Sequence, residues 1–498
     1  MFTETWHAGC YGEGVTSRAH PTRRGLLAGA AFSTFIAREV AAQSGGGDAS
    51  GDLAFPKGFH WGTATSAYQV EGAVTADGRG PSIWDTFCRE PGRIRDGSSG
   101  DTSADHYHRY KEDVALMKSL GAQTYRFSIA WPRVFPEGRG KLNAQGLAFY
   151  DRLVDELLAN GIEPFATLYH WDLPQALQDK GGWERRDTAL DFADYAGAVA
   201  AKLGDRVKNF FTLNEMQSFI EHGYGIGIFA PGLKLPADRL AQARHHAVLA
   251  HGLSVQAIRA KGRAGTRVGP AENLTVALPA FEIPAHIQAA ELATRELNAA
   301  YLTVMMEGRY TDAYLAGLGA DAPKFDARDL AIIASPVDFV GLNVYAPGPY
   351  VLSSEASPGY QVLKLPKSYP HMASTWLTLA PEVLYWAPRH VARLWKPSDI
   401  YISENGTSSK DKPDKDGHVY DLDRMMYLRN CLSQLHRATT EGVPVRGYFL
   451  WSLLDNFEWA DGYATRFGLV HVNYATQKRT PKLSAAFYKE VIARNAPA

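Results

Sequence analysis

The sequence predicts an α/β fold, a single (β/α)8 TIM barrel with long loops at its C-terminal face. Three observations carry that prediction. Strand-like and helix-like patterns alternate eight times from Phe55 to the end of the chain, with no linker between them. The strand-like runs are short, apolar and bounded by turn residues, as in strands buried on both faces. Nearly all of them finish on polar or aromatic residues, the pattern of a barrel whose strand ends share one mouth. The length of 498 residues would suggest two or three domains, but barrels with insertions exceed that prior as one unit.

The elements follow in order. Phe59 to Thr65 is the first strand, followed by a loop rich in Gly and Asp and a helix over Asp105 to Leu120. Thr124 to Trp131 is the second strand; in the helix after it Tyr150, Leu153, Val154, Leu157 and Leu158 share one face. Pro164 to Trp171 is the third strand and Thr188 to Leu203 its helix. The fourth, Val207 to Glu215, reads V-K-N-F-F-T-L-N-E and breaks into a Gly-rich loop before a helix over Arg239 to Ala260. Arg267 to Leu274 is a less regular fifth strand, and one helix is expected over Ile287 to Glu307. Asp338 to Tyr345 is the sixth strand, with a helix over Pro381 to Trp395. Asp399 to Gly406, D-I-Y-I-S-E-N-G, is the seventh, with Leu422 to Thr439 helical behind it. Val445 to Ser452 is the eighth, and Lys482 to Arg494 closes the chain. The long connections after strands six and eight, roughly 346–379 and 452–481, have the length of functional loops.

Residues 1–51 stand apart from this pattern. Arg23-Arg24 precedes a mild apolar run through Ala37, small residues at Val40-Ala41-Ala42 and a Gly45-Gly46-Gly47 linker. The segment resembles a twin-arginine export signal, which implies a periplasmic or secreted protein. The alternative is an N-terminal extension or an early start, with the protein remaining cytoplasmic. Residues 52–498 are then the barrel domain. A net charge of −1 gives no electrostatic case for a nucleic-acid partner, and no stretch reaches the ~18 apolar residues of a membrane span. Cys10, Cys88 and Cys431 lack metal-like spacing and read as buried free thiols.

The strand-end residues form the candidate site. Gln69 follows strand one and Arg126 lies in strand two. His170 and Trp171 end strand three, Asn214 and Glu215 strand four, Asn343 and Tyr345 strand six. Glu404 and Asn405 end strand seven and Trp451 strand eight, with Glu458 and Trp459 just beyond. Singly, a Glu is more often a solvated residue, a Trp more often core and a His more often structural. Their shared position at strand ends changes the reading. Strands four and seven lie three steps apart on an eight-stranded ring, so Glu215 and Glu404 should face each other. Opposed carboxylates are what glycoside hydrolysis requires, one to protonate the leaving oxygen and one to meet the developing oxocarbenium charge. A separation of about 5–5.5 Å would mean retention, about 6.5–9.5 Å inversion. Trp171, Trp451 and Trp459 offer flat faces to a pyranose, and Gln69, His170, Asn214 and Glu458 can bond its hydroxyls.

From about residue 53 onward the chain resembles glycoside hydrolase family 1, the β-glucosidase family. The matching stretches are F-P-K-G-F-H-W-G-T-A-T-S-A-Y-Q-V-E-G, Y-R-F-S-I-A-W-P-R-V-F-P-E-G, T-L-Y-H-W-D-L-P-Q-A-L, F-T-L-N-E, I-S-E-N-G and W-S-L-L-D-N-F-E-W. The resemblance implies a retaining mechanism with Glu404 as nucleophile and Glu215 as acid/base, acting on small β-glucosides or cello-oligosaccharides without a cofactor or metal. It implies that Asn214 contacts the sugar 2-hydroxyl, that Arg126, Asn343 and Tyr345 support the nucleophile, and that Gln69, His170, Trp171, Trp451, Glu458 and Trp459 line the sugar pocket. Like charge from Glu404 is expected to keep Glu215 protonated. Ser403 and Met216 depart from the residues usual beside the two glutamates, Asn298 to Tyr310 lacks the family's Asp-Pro, and Trp376 is a candidate for the leaving-group side. Transglycosylation, broader galactosidase or fucosidase activity, and an idle sugar-binding barrel are the competing readings.

Overall fold

Eight strands of four to seven residues, rich in β-branched and aromatic side chains, close the barrel: β1 (His60–Ala64), β2 (Thr124–Ser128), β3 (Glu163–Tyr169), β4 (Asn209–Asn214), β5 (Arg267–Asn273), β6 (Val340–Asn343), β7 (Ile400–Asn405) and β8 (Val445–Trp451). The computed structural model describes residues 53–497; the stretch 1–51 that resembles an export signal, with Cys10, lies outside the described residues. Each strand pairs in parallel with its sequence neighbours, and β8 returns to β1. Every residue of β2, β4, β6 and β7 is buried, as two-sided cover by barrel interior and helix layer requires. At the mouth the chain leaves β7 through Gly406, where a Cβ would meet the carbonyl oxygen of Trp451 at 1.8 Å. Only glycine permits that approach.

The helix after β2, Ala144–Ala159, buries Tyr150, Leu153, Val154 and Leu157. Leu158, expected on the same face, is 40% exposed. It lies one position beyond Leu157 and is turned about 100° off the stripe. The single helix expected over Ile287 to Glu307 is divided into Pro284–Leu297, a π-helical turn at Ala299–Thr303 and Val304–Glu307. Asn298 causes the break: its amide donates to Thr294 O (2.6 Å) and Thr275 O (2.9 Å), and its Oδ1 accepts from Thr275 N (3.1 Å). A side chain that bonds the backbone in this way competes with the helical ladder. The chain after Glu215 is likewise not a loop at first. Met216 and Gln217 are helical and run into a π-helix, Ser218–Gly225.

Both long connections fold. Tyr350–Ser353 and Tyr360–Val362 join Leu278–Pro279 in a three-stranded sheet, and Val470–Asn473 pairs with Lys478–Pro481 as a hairpin. Cys88 is half-buried, Cys431 is buried, and both thiols are free. Among the described residues no helix is long and apolar enough to cross a membrane.

Candidate active site

Glu404, near the end of β7, is 3% exposed and held from two sides. Arg126 of β2 donates Nη1 to its Oε1 at 2.5 Å, and the Tyr345 hydroxyl donates to its Oε2 at 2.7 Å. Arg126 has no freedom to choose another partner. Its Nε reaches Thr167 Oγ1 (3.0 Å), Nη1 also reaches Ser403 O (3.1 Å), and Nη2 donates to Asn214 Oδ1 (2.6 Å). The Phe211 ring lies 5.0 Å from the guanidinium carbon.

Glu215 follows β4 with a left-handed backbone (φ 52°), and its N–H donates to Ala271 O on β5 at 2.8 Å. Its carboxyl meets neutral donors: Asn343 Nδ2 at 2.8 Å on Oε1 and Ser218 Oγ at 2.9 Å on Oε2. Asn343 Nδ2 also lies 2.9 Å from Asn214 Oδ1, and Ser403 Oγ donates to Asn343 Oδ1 at 2.7 Å. The two carboxyl groups are thus joined by one chain of contacts, Glu404–Arg126–Asn214–Asn343–Glu215. Arg126, Asn214, Glu215, Asn343, Tyr345 and Glu404 thus converge on one mouth.

The electrostatics separate the two acids. Burial, more than the charge of Glu404, pushes Glu215 up to about 7, and the Asn343 and Ser218 hydrogen bonds resist only in part. The expected like-charge effect of Glu404 is present as the second cause, and desolvation, which the sequence did not reveal, is the larger. Burial also raises Glu404, but the Arg126 charge and the Tyr345 hydroxyl pull against it. Between two equally buried carboxyls the one with the cationic partner ionises first. His170 is held neutral, far below the usual imidazole range, by burial and then by Arg126. Its Nε2 accepts from Asn214 Nδ2 at 3.2 Å.

A polar and aromatic wall adjoins the acids through the His170–Asn214 contact. Gln69 Nε2 donates to Asn456 Oδ1 and Phe457 O at 3.0 Å and lies 3.3 Å from Glu458 Oε2. The His170 ring stacks on Trp451 (5.6 Å between centroids) and on Trp459 (6.0 Å), and Trp171 lies 4.5 Å from Trp459. Trp171 and Trp459 share the left-handed backbone of Glu215, with φ of 75° and 50°. Such strain concentrates where side-chain placement is functional. The Trp451–Ser452 peptide is cis. Trp376 is 54% exposed and packs edge-on to Tyr345 and parallel to Phe467, at the outer rim beside the nucleophile-side tyrosine.

One strand-end residue does not join the mouth. Asn405 turns outward, its amide donating to Val344 O (2.7 Å) and Tyr427 Oη (3.0 Å) while Tyr448 donates to its Oδ1 (2.8 Å). It is one residue past Glu404, and successive strand residues point to opposite faces. Sequence reasoning also missed Thr167, Ser218, Glu272 and Asn273. The last two end β5 on a polar pair, the same signal that marked the other strands, but Gly269 and Pro270 made that strand look irregular.

Residues 52–497 match the sequence profile of glycosyl hydrolase family 1. The chain is 45% identical to beta-glucosidase A of Acetivibrio thermocellus over 89% of this chain and 99% of that protein. It is 42% identical to thermostable beta-glucosidase B of Thermobispora bispora over 97% of this chain and 99% of that protein. A solved family 1 β-glucosidase from Thermotoga maritima superimposes with a TM-score of 0.81 at 40% identity, covering 90% of this chain and 99% of its own. The same T. maritima enzyme has been solved in complex with glucoimidazole and with galacto-hydroximolactam. A closed eight-stranded parallel barrel, two buried strand-end glutamates linked through Arg126, Asn214 and Asn343, and a family match over nearly the whole described chain lead to one conclusion: this protein belongs to glycosyl hydrolase family 1.

Proposed function

We propose that the chain is a retaining β-glucosidase that removes terminal non-reducing β-D-glucosyl residues from small β-glucosides and cello-oligosaccharides. The observation that carries this reading is the unequal setting of two buried carboxyls: Glu404 on a cation and a hydroxyl, Glu215 on neutral donors and pushed up to about 7. Glu404, ionised, attacks the anomeric carbon. Glu215 delivers its proton to the leaving oxygen as the glycosidic bond breaks. The ester formed on Glu404 carries no charge, so the repulsion on Glu215 falls and it ionises. It then takes a proton from water, whose oxygen attacks the anomeric carbon and frees Glu404.

Asn214, fixed by Arg126 and His170, is placed to bind the 2-hydroxyl. Gln69, Glu458 and the Trp171, Trp451 and Trp459 faces form the glucose pocket, and Trp376 is the rim on the leaving-group side. The pocket also accepts β-galactosides, in line with the galacto-hydroximolactam bound in the T. maritima relative's structure. Proton NMR of the first-formed sugar during hydrolysis of an aryl β-glucoside tests the reaction: β-glucose appears first if the reading holds, and α-glucose first would refute it. We also propose export through the Arg23-Arg24 signal. Fractionation of producing cells checks this, with the protein expected outside the cytoplasm and an Arg23→Lys, Arg24→Lys variant retained inside.

A further inference from the structure

Asn273 pairs with the mouth-facing Asn343, so Glu272, one residue earlier and paired with Leu342, faces the helix layer. The apolar layer between a parallel barrel and its helices holds side chains such as Val, Leu and Ile, and an acid buried there without a partner is costly. Glu272 is 2% exposed on β5, and its Oε1 accepts the Met216 N–H at 3.1 Å. Met216 opens the helical segment that runs through Gly225, so its N–H is one of the donors a helix leaves without an internal partner. Glu215, the residue before it, occupies the cap position, and its carbonyl accepts from Phe219 N.

The contacts around this corner form a set. Ala271 O takes the Glu215 N–H (2.8 Å), Glu272 takes the Met216 N–H, and Asn273 Nδ2 donates to Ser218 Oγ (3.0 Å), which donates in turn to Glu215 Oε2 (2.9 Å). Three consecutive residues of β5 thus grip the turn that carries Glu215, which holds a left-handed backbone a glutamate rarely adopts. We infer that Glu272 is a positioning residue for the acid/base, fixing Glu215 by the reach of its hydrogen bond to Met216 rather than by its charge. This rests on the reading of Glu215 as acid/base given above.

Three variants separate reach from charge. Glu272→Asp keeps the charge but is one methylene too short; Glu272→Leu fills the layer with no acceptor; Glu272→Gln keeps the reach without the charge. The readout is kcat/KM on methyl β-D-glucoside, which needs protonation to leave, and on 2,4-dinitrophenyl β-D-glucoside, which does not. Glu272→Asp and Glu272→Leu should lose about 10- to 100-fold on the methyl glucoside, since a displacement of about 1 Å can cost about 10²-fold. Both should stay within about threefold of native on the dinitrophenyl glucoside, where general acid catalysis contributes little. Glu272→Gln should recover most of the loss. Equal loss on both substrates, native behaviour of Glu272→Asp, or failure of Glu272→Gln to recover would each overturn the inference. Glu215→Ala is run alongside: if it shows no dependence on the leaving group, the acid/base assignment itself falls.

Discussion

The ends of β4 and β7 carry the same side chain, joined by one chain of contacts, in opposite electrostatic settings. Glu215 and Glu404 are both buried, and burial raises both. At β7 an arginine from β2 and a tyrosine beyond β6 supply a charge and a hydroxyl; at β4 an asparagine and a serine supply neutral donors. Neutral donors do not fully compensate a buried carboxylate, so Glu215 keeps its proton to about 7. The difference teaches that division of labour between two identical acids lies in their neighbours, and those neighbours come from other strands.

The comparison can be broken at the β7 end first. Glu404→Ala removes the attacking group, and turnover should fall on the order of 10⁵-fold on every substrate, as loss of a covalent nucleophile does elsewhere. Steady-state rates on cellobiose and an aryl glucoside check this. Glu215→Ala should cost about 10²- to 10⁴-fold on cellobiose and far less in the first step on 2,4-dinitrophenyl β-glucoside. A uniform loss would erase the proposed asymmetry. Tyr345→Phe deletes one hydrogen bond to the charged Glu404 and should lower kcat/KM by about 10- to 100-fold, given about 1.5–3 kcal/mol for such a bond.

The smallest effect sharpens the electrostatic contrast. A general acid must be protonated to work, so kcat/KM should fall as pH rises through about 7. Glu404→Gln removes the repulsion but leaves the burial, so the Glu215 titration, followed by NMR on labelled protein, should move below 7 and stay above the ordinary carboxylate range. A return to that ordinary range would make charge, not burial, the dominant cause.

Much of this was legible in the chain. All eight strands were readable because apolar runs such as F-V-G-L and I-Y-I-S alternate with amphipathic helices, and Glu215 and Glu404 stood out as charges ending such runs. What stayed hidden depends on partners distant in sequence. Nothing local marks Asn298 as a helix breaker, because its amide finds Thr275, 23 residues earlier in the chain. Asn405 looks like Glu404 in sequence but faces the helices, since one residue along a strand reverses direction. Burial, the larger cause of the Glu215 shift, is a property of the closed barrel and has no signature in F-T-L-N-E.

The most direct test is intact mass and peptide mapping after incubation of residues 52–498 with 2,4-dinitrophenyl 2-deoxy-2-fluoro-β-D-glucoside. The fluorine slows both steps by destabilising the oxocarbenium-like transition states, while the good leaving group lets the first proceed, so a retaining enzyme accumulates its ester. A single fluoroglucosyl adduct on the peptide carrying Glu404 is the predicted result. An adduct on Glu215, or release of dinitrophenol at the native steady rate with no adduct, would contradict the account.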